Sequence, residues 1–526
     1  MSIPIWQAAV LALVAGVAGY RQFQGWVYLF QLDEYLPSRL WSTAARRLGA
    51  NWPWQLGLLV SGVALALVAA AVGPQLRPLP LLVACLLPLP FFRLFATRAV
   101  LKWTKRARRL AAIAGLLVLL ALLLGIWAGP VGAVLVGLLD LLLVLALALS
   151  AALSQPYEAV LRRRFMASAE ARLAVSKPLV VGITGSYGKT TTKVILGQLL
   201  DTPEQPCFST PESYNTTLGV CRALNEGLLP SHRLAVVEMG AYRPGEIAEI
   251  CSFTHPTVAI VTAVGLMHLE RFGSRVQIAR AKSELLAALP ADGFAVVPSD
   301  IAERETLLRN LRARLLSVGA QGDRWWVEQE ELGPTGTALR LRGSAGEDVA
   351  LQVPVYGHHL VLDLLCAIAV AAELGRPLGD IVARAATIEG APHRLEVTRH
   401  AGITIIDDAY NANPTGAVEA LRLLAALPGQ RRVLVTPGYI ELGSEQEQSM
   451  RELGRMAAGV CTHVILVGPR HSVPVALGLR EAGYPDGQVS VVADLNGAQR
   501  ILPEVAGSGS VVLFENDLPD QYLERS

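Results

Sequence analysis

The segment that most restricts the fold of this chain is residues 178–200, PLVVGITGSYGKTTTKVILGQLL. Its first third is a short apolar, β-branched run, which is typical of a buried strand. Gly185 and Gly188 then form a tight turn, and a sequence of helical composition begins at Lys189. The order of strand, glycine-rich turn and helix predicts a phosphate-binding loop.

The residues of this loop have the chemistry that phosphate binding requires. Glycines let backbone N–H groups converge on phosphate oxygens, and the helix N-terminus adds a partial positive charge. Lys189 would neutralise the outer phosphates, and Thr190 would offer its hydroxyl to magnesium. The first glycine is one position away from the strict Walker pattern, because Ile183 occupies its place.

Two further apolar runs lead to polar side chains suited to a metal. RLAVVEM ends near Glu238, and PTVAIVTAVGLMH reaches His268. The helical segment IARAKSELLAAL carries Lys282 and Glu284. A carboxylate and an imidazole suit a divalent metal beside phosphates. Each residue alone would more often be structural, but their position after a phosphate loop favours the functional interpretation.

Almost all long apolar runs of the chain lie in residues 1–154. A spanning helix needs about 20 apolar residues, and five segments approach that length: 3–20, 55–75, 79–97, 110–128 and 130–153. The basic segments 102–109 and 161–164 flank the last two, so the positive-inside rule places both in the cytosol. The sequence therefore predicts a multi-pass membrane protein with its N-terminus outside and its later domains cytoplasmic.

Asp140 lies within the fifth apolar segment. An ionisable residue inside a membrane is a functional candidate. A protonated side chain or a hydrogen bond that packs helices is the alternative.

Composition excludes other classes of protein. The net charge of +2 argues against binding nucleic acid through bulk charge. The six cysteines are scattered without C-x-x-C spacing, so neither a disulfide framework nor a zinc site is expected.

Eight segments, of which the phosphate loop is the first, follow one another over residues 175–470 in the order known from one family. They are GITGSYGKTTT, EMGAYRPGEI, HLERFGS, AKSEL, GHHLVLDLLCAIAVAAELG, PHRLEV, DDAYNANPTG and ELG. The chain thereby resembles the Mur ligases, and in particular their D-alanyl-D-alanine-adding members. The resemblance implies an ATP-dependent, ADP-forming ligase that joins a carboxylate to an amine in peptidoglycan or other cell-envelope precursor synthesis.

The resemblance also implies roles for individual residues. Lys189, Lys282, His268 and Arg394 would be catalytic, with Arg394 reaching the γ-phosphate and Lys282 carbamylated by CO₂. Magnesium would be held by Thr190, Glu238, His268 and Lys282. ATP would contact Gly185, Ser186, Gly188, Lys189, Thr190, Thr191, His359, Arg394 and Asp408. The remaining substrates would contact Asn215, Thr216, Tyr410, Asn411 and Asn413.

The chain departs from the family pattern on the adenine side and at the C-terminus. Leu360 and Asp363 replace two asparagines of the adenine-side element. The other substitutions are Ala263, Thr216 and His393, and a lysine-glycine-serine element is absent where residues 513–522 read LFENDLPDQY. The catalytic set is thus retained, whereas the adenine and substrate contacts are altered.

The predicted fold is multi-domain and mostly α/β. A transmembrane module of about five helices (1–155) and an interfacial helix or linker (156–175) precede a parallel-sheet ATP-binding domain (176–388) and a C-terminal α/β domain (389–526). Soluble Mur ligases instead begin with a domain that binds the uridine-diphosphate end of their substrate. The membrane module therefore predicts a membrane lipid or lipid-linked precursor as acceptor, with a small amino acid or dipeptide as amine donor; a plain membrane tether is the alternative.

Two rival functions stay open on the sequence. A membrane-bound poly-γ-glutamate synthase is also Mur-like, although Tyr187 stands where its loop usually has arginine. The other rival is a transport ATPase or a nucleotide-binding membrane regulator. A transport or signalling ATPase would need coupling and dimer motifs, which the sequence does not show, and the retention of Lys189, Glu238, His268 and Lys282 argues against a regulator. Neither the oligomeric state nor the two substrates can be predicted from the sequence.

Overall fold

The computed structural model describes residues 20–33, 35–50, 101–127, 139–212, 214–410 and 412–516. The chain divides into two compact units, residues 1–161 and residues 162–526. The helices are α1 Pro37–Ala50, α2 Lys105–Trp127, α3 Leu139–Ser176, α4 Lys189–Leu200, α5 Thr217–Gly227, α6 Glu246–Thr254, α7 Leu269–Phe272, α8 Arg275–Ala287, α9 Arg304–Leu308, α10 His358–Glu373, α11 Leu378–Ala385, α12 Pro414–Ala426, α13 Gln446–Ala458, α14 Val473–Glu481 and α15 Leu495–Val505. The strands are β1 Leu179–Thr184, β2 Cys207–Ser209, β3 Leu234–Glu238, β4 Val258–Val261, β5 Phe294–Pro298, β6 Arg314–Gly319, β7 Trp325–Gly333, β8 Gly336–Gly343, β9 Asp348–Val353, β10 Glu396–His400, β11 Ile403–Asp408, β12 Arg431–Thr436, β13 His463–Val467, β14 Val489–Val492 and β15 Ser510–Glu515.

The described part of the first unit is helical and has its own apolar core. Trp26, Phe30, Leu40, Leu110 and Leu147 are all at most 2% exposed within it.

Asp140, also in the first unit, is buried. One oxygen of its carboxylate accepts hydrogen bonds from Gln22 Nε2 at 2.6 Å and from Trp26 Nε1 at 2.7 Å. These contacts favour the packing role over the functional one.

The predicted multi-pass membrane protein with an outside N-terminus is wrong. Within the part of the chain that the structure describes, a single helical segment, Asp140–Ser176, is long and apolar enough to cross a membrane. Segments 3–20, 55–75 and 79–97 lie outside the described residues, as do residues 128–138. The shared core accounts for part of the apolar character that suggested separate spans, because α2 and α3 bury leucines against each other and against α1.

The first sheet of the second unit has nine strands in the order β2-β3-β1-β4-β5-β6-β7-β8-β9. Its strands are parallel from β2 to β7, and β7, β8 and β9 are antiparallel. The sheet is therefore mixed rather than wholly parallel as predicted, because short turns join β7 to β8 and β8 to β9. Since β3 and β4 flank β1, the residues that follow all three strands meet at one edge.

The second sheet has six strands in the order β10-β11-β15-β12-β13-β14. Only β10 is antiparallel to its neighbour, and the other pairs are parallel. The carboxyl ends of β11, β15 and β12 are therefore adjacent. In the register, Asp408 at the end of β11 pairs with Glu515 at the end of β15.

Candidate active site

The phosphate loop connects β1 to α4 in a conformation that requires glycine. Gly188 has φ 78° and caps the N-terminus of α4, and a Cβ on Gly185 would overlap Thr262 Oγ1. Ser186 supports the loop, since Gly265 N donates to its hydroxyl at 3.0 Å. These contacts leave the N-terminus of α4 oriented for an anion.

Lys189 and Thr191 occupy the first turn of α4. The ammonium of Lys189 donates to the carbonyl oxygen of Gly185 at 2.8 Å. Burial, and then the charge of Arg394, lowers the pKa of Lys189 against the opposing effect of Glu238. Thr191 is buried.

Glu238 is fully buried at the end of β3, and its carboxylate contacts Thr190, Asn215 and Lys193. Thr190 Oγ1 donates to its Oε2 at 3.0 Å, and Asn215 Nδ2 donates to its Oε1 at 2.9 Å. Lys193 forms an ion pair with Oε2 at 3.0 Å. Burial would raise the pKa of Glu238, but Lys193 and Lys189 outweigh it and hold the carboxyl ionised. Lys193 was not predicted, although its spacing of four from Lys189 places it on the same helix face.

His268 lies beyond the end of β4, at the N-terminus of the short helix α7, with φ 60°. Its Nδ1 is 2.6 Å from Glu441 Oε2, and Arg271 donates to Glu441 Oε1 at 2.9 Å. Burial lowers the pKa of His268. Burial alone would raise the pKa of Glu441, but its bond to His268 and the charge of Arg271 lower it to about 2. Glu441 was not predicted as a site residue. It lies after β12 of the second sheet, and its contacts with His268 and Arg271 join that region to α7.

Lys282 lies in α8 and is only 6% exposed. Burial, and then repulsion by the charge of Lys189, lowers its pKa well below the usual value. A lowered pKa increases the share of lysine that is unprotonated and therefore nucleophilic.

Arg394 brings the second domain's charge to the phosphate loop. Its guanidinium lies over the Tyr410 ring at 4.6 Å. Its charge adds to the effect of burial in lowering the pKa of Lys189, and it opposes the effect of burial on the pKa of Asp408. Asp408 Oδ1 accepts from Leu395 N at 3.2 Å, while burial raises the pKa of Asp408 to about 6.

The segment that was predicted to lie on the adenine side holds two titratable groups, His359 and Asp363. His359 Nδ1 is buried without a hydrogen-bond partner, and burial lowers the pKa of this histidine to about 4. Asp363 lies directly against Gly188 of the phosphate loop. Burial raises the pKa of Asp363 to about 7, and its Oδ2 has no partner.

Two of the predicted substrate residues are helix caps. The Thr216 hydroxyl accepts from Gly219 N at 3.3 Å, and the Asn413 side chain accepts from Gly416 N at 2.9 Å. Asn411 lies outside the described residues.

The donor set at this edge fits a magnesium ion beside a nucleotide. Glu238 and Thr190 offer the hard oxygen ligands that magnesium prefers, and Lys189 and Arg394 are fixed cations beside the anion-binding helix end.

Comparison with known proteins matches the second unit, residues 162–526, to two domain families. The Mur ligase middle domain matches residues 183–371, and the Mur ligase glutamate ligase domain matches residues 393–515. The UDP-N-acetylmuramoyl-tripeptide–D-alanyl-D-alanine ligase of Mycobacterium leprae is 32% identical over 378 residues, which cover 66% of this chain and 72% of that protein.

Two solved structures extend the comparison. A crystal structure of MurF from Acinetobacter baumannii is similar with a TM-score of 0.61 at 29% identity, over 68% of this chain and 77% of that one. MurF ligase from Thermotoga maritima, solved in complex with ADP, gives 0.60 at 25% identity, over 69% and 81%.

Proposed function

Because the chain belongs to the Mur ligase family, we propose that it uses ATP to join a substrate carboxylate to an incoming amine in peptidoglycan precursor synthesis. The carboxylate would take the γ-phosphoryl group, the amine would attack the resulting acyl phosphate, and an amide, phosphate and ADP would be the products. The contact that carries this proposal is the hydrogen bond that Thr190, the residue after the loop lysine, donates to Glu238.

The chain's own residues would bind and orient the reacting groups. Lys189 and Arg394 would stabilise negative charge on the transferring phosphoryl group, which is the main catalytic demand of phosphoryl transfer. Thr190, Glu238 and His268 would hold magnesium, which supplies charge neutralisation at the phosphates. Ser186, Thr191, His359 and Asp408 would line the rest of the ATP site.

We further propose that Lys282 is carbamylated. Carbamate formation requires an unprotonated amine and converts a cation into an anionic oxygen ligand. The lowered pKa of Lys282 supplies that amine. The change of charge would also remove the repulsion between Lys282 and Lys189.

We propose a dipeptide such as D-alanyl-D-alanine as amine donor and a uridine-diphosphate-linked muramoyl peptide as acceptor, since relatives are named for these substrates. The lipid-linked acceptor depended on the predicted membrane bundle, and the correction of that bundle removes its basis. Within the ligase unit we propose a domain boundary at residues 388–389, between the two matched families. Asn215, which donates to Glu238, and Tyr410, which lies under Arg394, would contact the substrates.

Substitution of Lys189 by alanine tests the proposed function. Lys189→Ala should lower acceptor- and amine-dependent ADP release about 1,000-fold, as loss of a transition-state charge contact does elsewhere. Circular dichroism and thermal unfolding should match the wild type, because the two hydrogen bonds of the side chain are to carbonyl oxygens of its own loop. A folded variant with wild-type turnover would refute the phosphate-loop assignment.

A further inference from the structure

Glu441 contacts the ring of His268 from the other matched domain. His268 lies in the middle-domain match, residues 183–371, whereas Glu441 lies in the second match, residues 393–515. Glu441 Oε2 is 2.6 Å from His268 Nδ1, and its Oε1 accepts from Arg271 at 2.9 Å. The metal ligands proposed above do not include this carboxylate.

The backbone that carries His268 is held by the phosphate loop. Gly265 N donates to Ser186 Oγ at 3.0 Å. Leu266 N donates to the Tyr187 hydroxyl at 2.8 Å. These two bonds fix the main chain immediately before His268, so the loop itself determines where the histidine stands.

The main chain does not decide which ring nitrogen is available to a metal ion. An imidazole can turn about its χ2 angle, and either nitrogen can hold the proton of the neutral ring. An ionised carboxylate only accepts hydrogen bonds, so Glu441 requires the proton of His268 on Nδ1. Within the described part of the chain this is the only hydrogen bond of the ring, and Nε2 keeps its lone pair for a metal ion.

Two further contacts restrict the ring and place it near the phosphates. The Tyr242 ring meets that of His268 edge to face, with 4.9 Å between the centroids. Burial, and also the charge of Lys189, lowers the pKa of His268 against the opposing effect of Glu441. The ring is therefore within electrostatic reach of the lysine of the phosphate loop.

We propose that Glu441 is a positioning residue that fixes the tautomer and the orientation of His268, so that Nε2 faces the magnesium ion. The inference rests on the proposed function, in which His268 binds magnesium, and it adds a contribution of the second domain to the metal site. A carboxylate that accepts the second N–H of a metal-binding histidine fixes the ring and raises its basicity.

The position of Glu441 in the second domain has a further effect. The histidine is oriented only while the two domains keep the arrangement seen here. Because the coupling between two equilibria is reciprocal, metal binding and this arrangement of the domains stabilise each other.

The alternative is that Glu441 only joins the domains through its ion pair with Arg271. Glu441→Ala removes both contacts, so a second substitution has to separate the two roles. His268→Ala does so, because a residue that acts through His268 has nothing to orient once that ring is gone. An ion pair with Arg271 would keep its effect in that background.

The binding of Mn²⁺–ADP to the full chain tests the inference. Mn²⁺ suits the same oxygen ligands as magnesium, and electron paramagnetic resonance measures how much of it is bound. Glu441→Ala should weaken this binding about 10- to 100-fold, the usual cost of losing the partner of a metal-binding histidine. In the His268→Ala background the same substitution should change the affinity less than about two-fold, since the two effects are not additive.

The electron spin echo of bound Mn²⁺ gives a second readout. An imidazole nitrogen bound to the metal modulates the echo, and His268→Ala identifies that modulation by removing it. We expect the modulation in the wild type and its loss in Glu441→Ala. Arg271→Gln is the matched control, because it removes the ion pair and leaves the bond to His268, and it should keep the modulation.

Three results would overturn the inference: unchanged affinity in folded Glu441→Ala, an equal loss of affinity in both backgrounds, or a wild type that binds Mn²⁺–ADP without nitrogen modulation. A wild type that binds no Mn²⁺–ADP would instead refute the proposed function.

Glu441→Gln replaces the alanine variant if that variant fails to fold. Glutamine keeps an acceptor for the Nδ1–H but lacks the charge, and a hydrogen bond to a charged acceptor is roughly twice as strong as one to a neutral acceptor. The affinity for Mn²⁺–ADP should therefore fall about three-fold, and the loss should again disappear in the His268→Ala background. An unchanged affinity of this variant would count against the positioning role.

Discussion

Lys282 is the residue whose chemistry depends most on its surroundings. A bare ammonium at this buried position would repel both Lys189 and magnesium, whereas a carbamate would attract the metal. We expect Lys282→Ala to lower ligase turnover about 100-fold, the upper range for loss of a group that supports a metal site. Short carboxylic acids such as acetate, added to the assay, should restore part of the activity by occupying the vacated space.

Lys282→Arg provides the control for this rescue. Arginine keeps a permanent positive charge, so acetate should not restore its activity. Full activity of Lys282→Ala without any addition would contradict the carbamate.

The contacts of Glu441 predict a dependence of stability on acid. Its pKa is about 2 in the folded protein against 4.5 for an unperturbed glutamate. A carboxyl with a depressed pKa stabilises the fold above its unfolded pKa, and that stability is lost as pH falls. We therefore expect the free energy of unfolding to drop between about pH 4.5 and pH 2. Glu441→Gln should flatten that part of the urea-unfolding profile, and an unchanged profile would contradict the role.

Among single residues, those with local signatures could be predicted and those with distant partners could not. Lys189 and Thr190 follow a loop pattern that can be read within ten residues. Glu441 is 173 residues from His268, and nothing near it in the sequence indicates that pairing.

At the scale of elements, helix caps explain residues that the sequence assigned to substrate. Asn413→Ala should cost about 1 kcal/mol of stability, because Gly416 N loses its acceptor at the start of α12. Asn413→Asp keeps the cap and should unfold near the wild-type temperature. Activity of the aspartate variant then decides the second role, since a substrate contact through the amide N–H₂ would be lost while stability is kept.

Strand patterns were the most reliable guide to the fold. Buried β-branched runs located β1, β3 and β4. The apolar runs of the first 154 residues misled, because composition alone does not distinguish a bilayer from a helical core. α3 also continues without a break through residues 156–175, where a separate interfacial helix was expected.

At the scale of the whole molecule, the division after Leu161 predicts that the ligase unit folds alone. Ala169 and Leu173 of α3 pack into the core of that unit. A chain of residues 162–526 should therefore unfold in one cooperative transition and retain ATP-dependent ligation. Removing residues 162–176 as well should lower its stability by roughly 3 kcal/mol, the usual cost of losing buried apolar side chains. An aggregated 162–526 chain would show that the first unit is needed for folding.

The burial of Trp26, which donates to Asp140 in the first unit, has a consequence for spectroscopy. Tryptophans are concentrated in the first unit, at Trp6, Trp26, Trp41, Trp52, Trp54, Trp103 and Trp127, and the other two are Trp325 and Trp326. A buried indole emits at shorter wavelength than one in water, so the intrinsic fluorescence of the chain reports mainly on the part without ligase chemistry. Shortening the chain to residues 162–526 would leave only the pair in β7 to emit, and the ligase unit could then be followed optically without any added label.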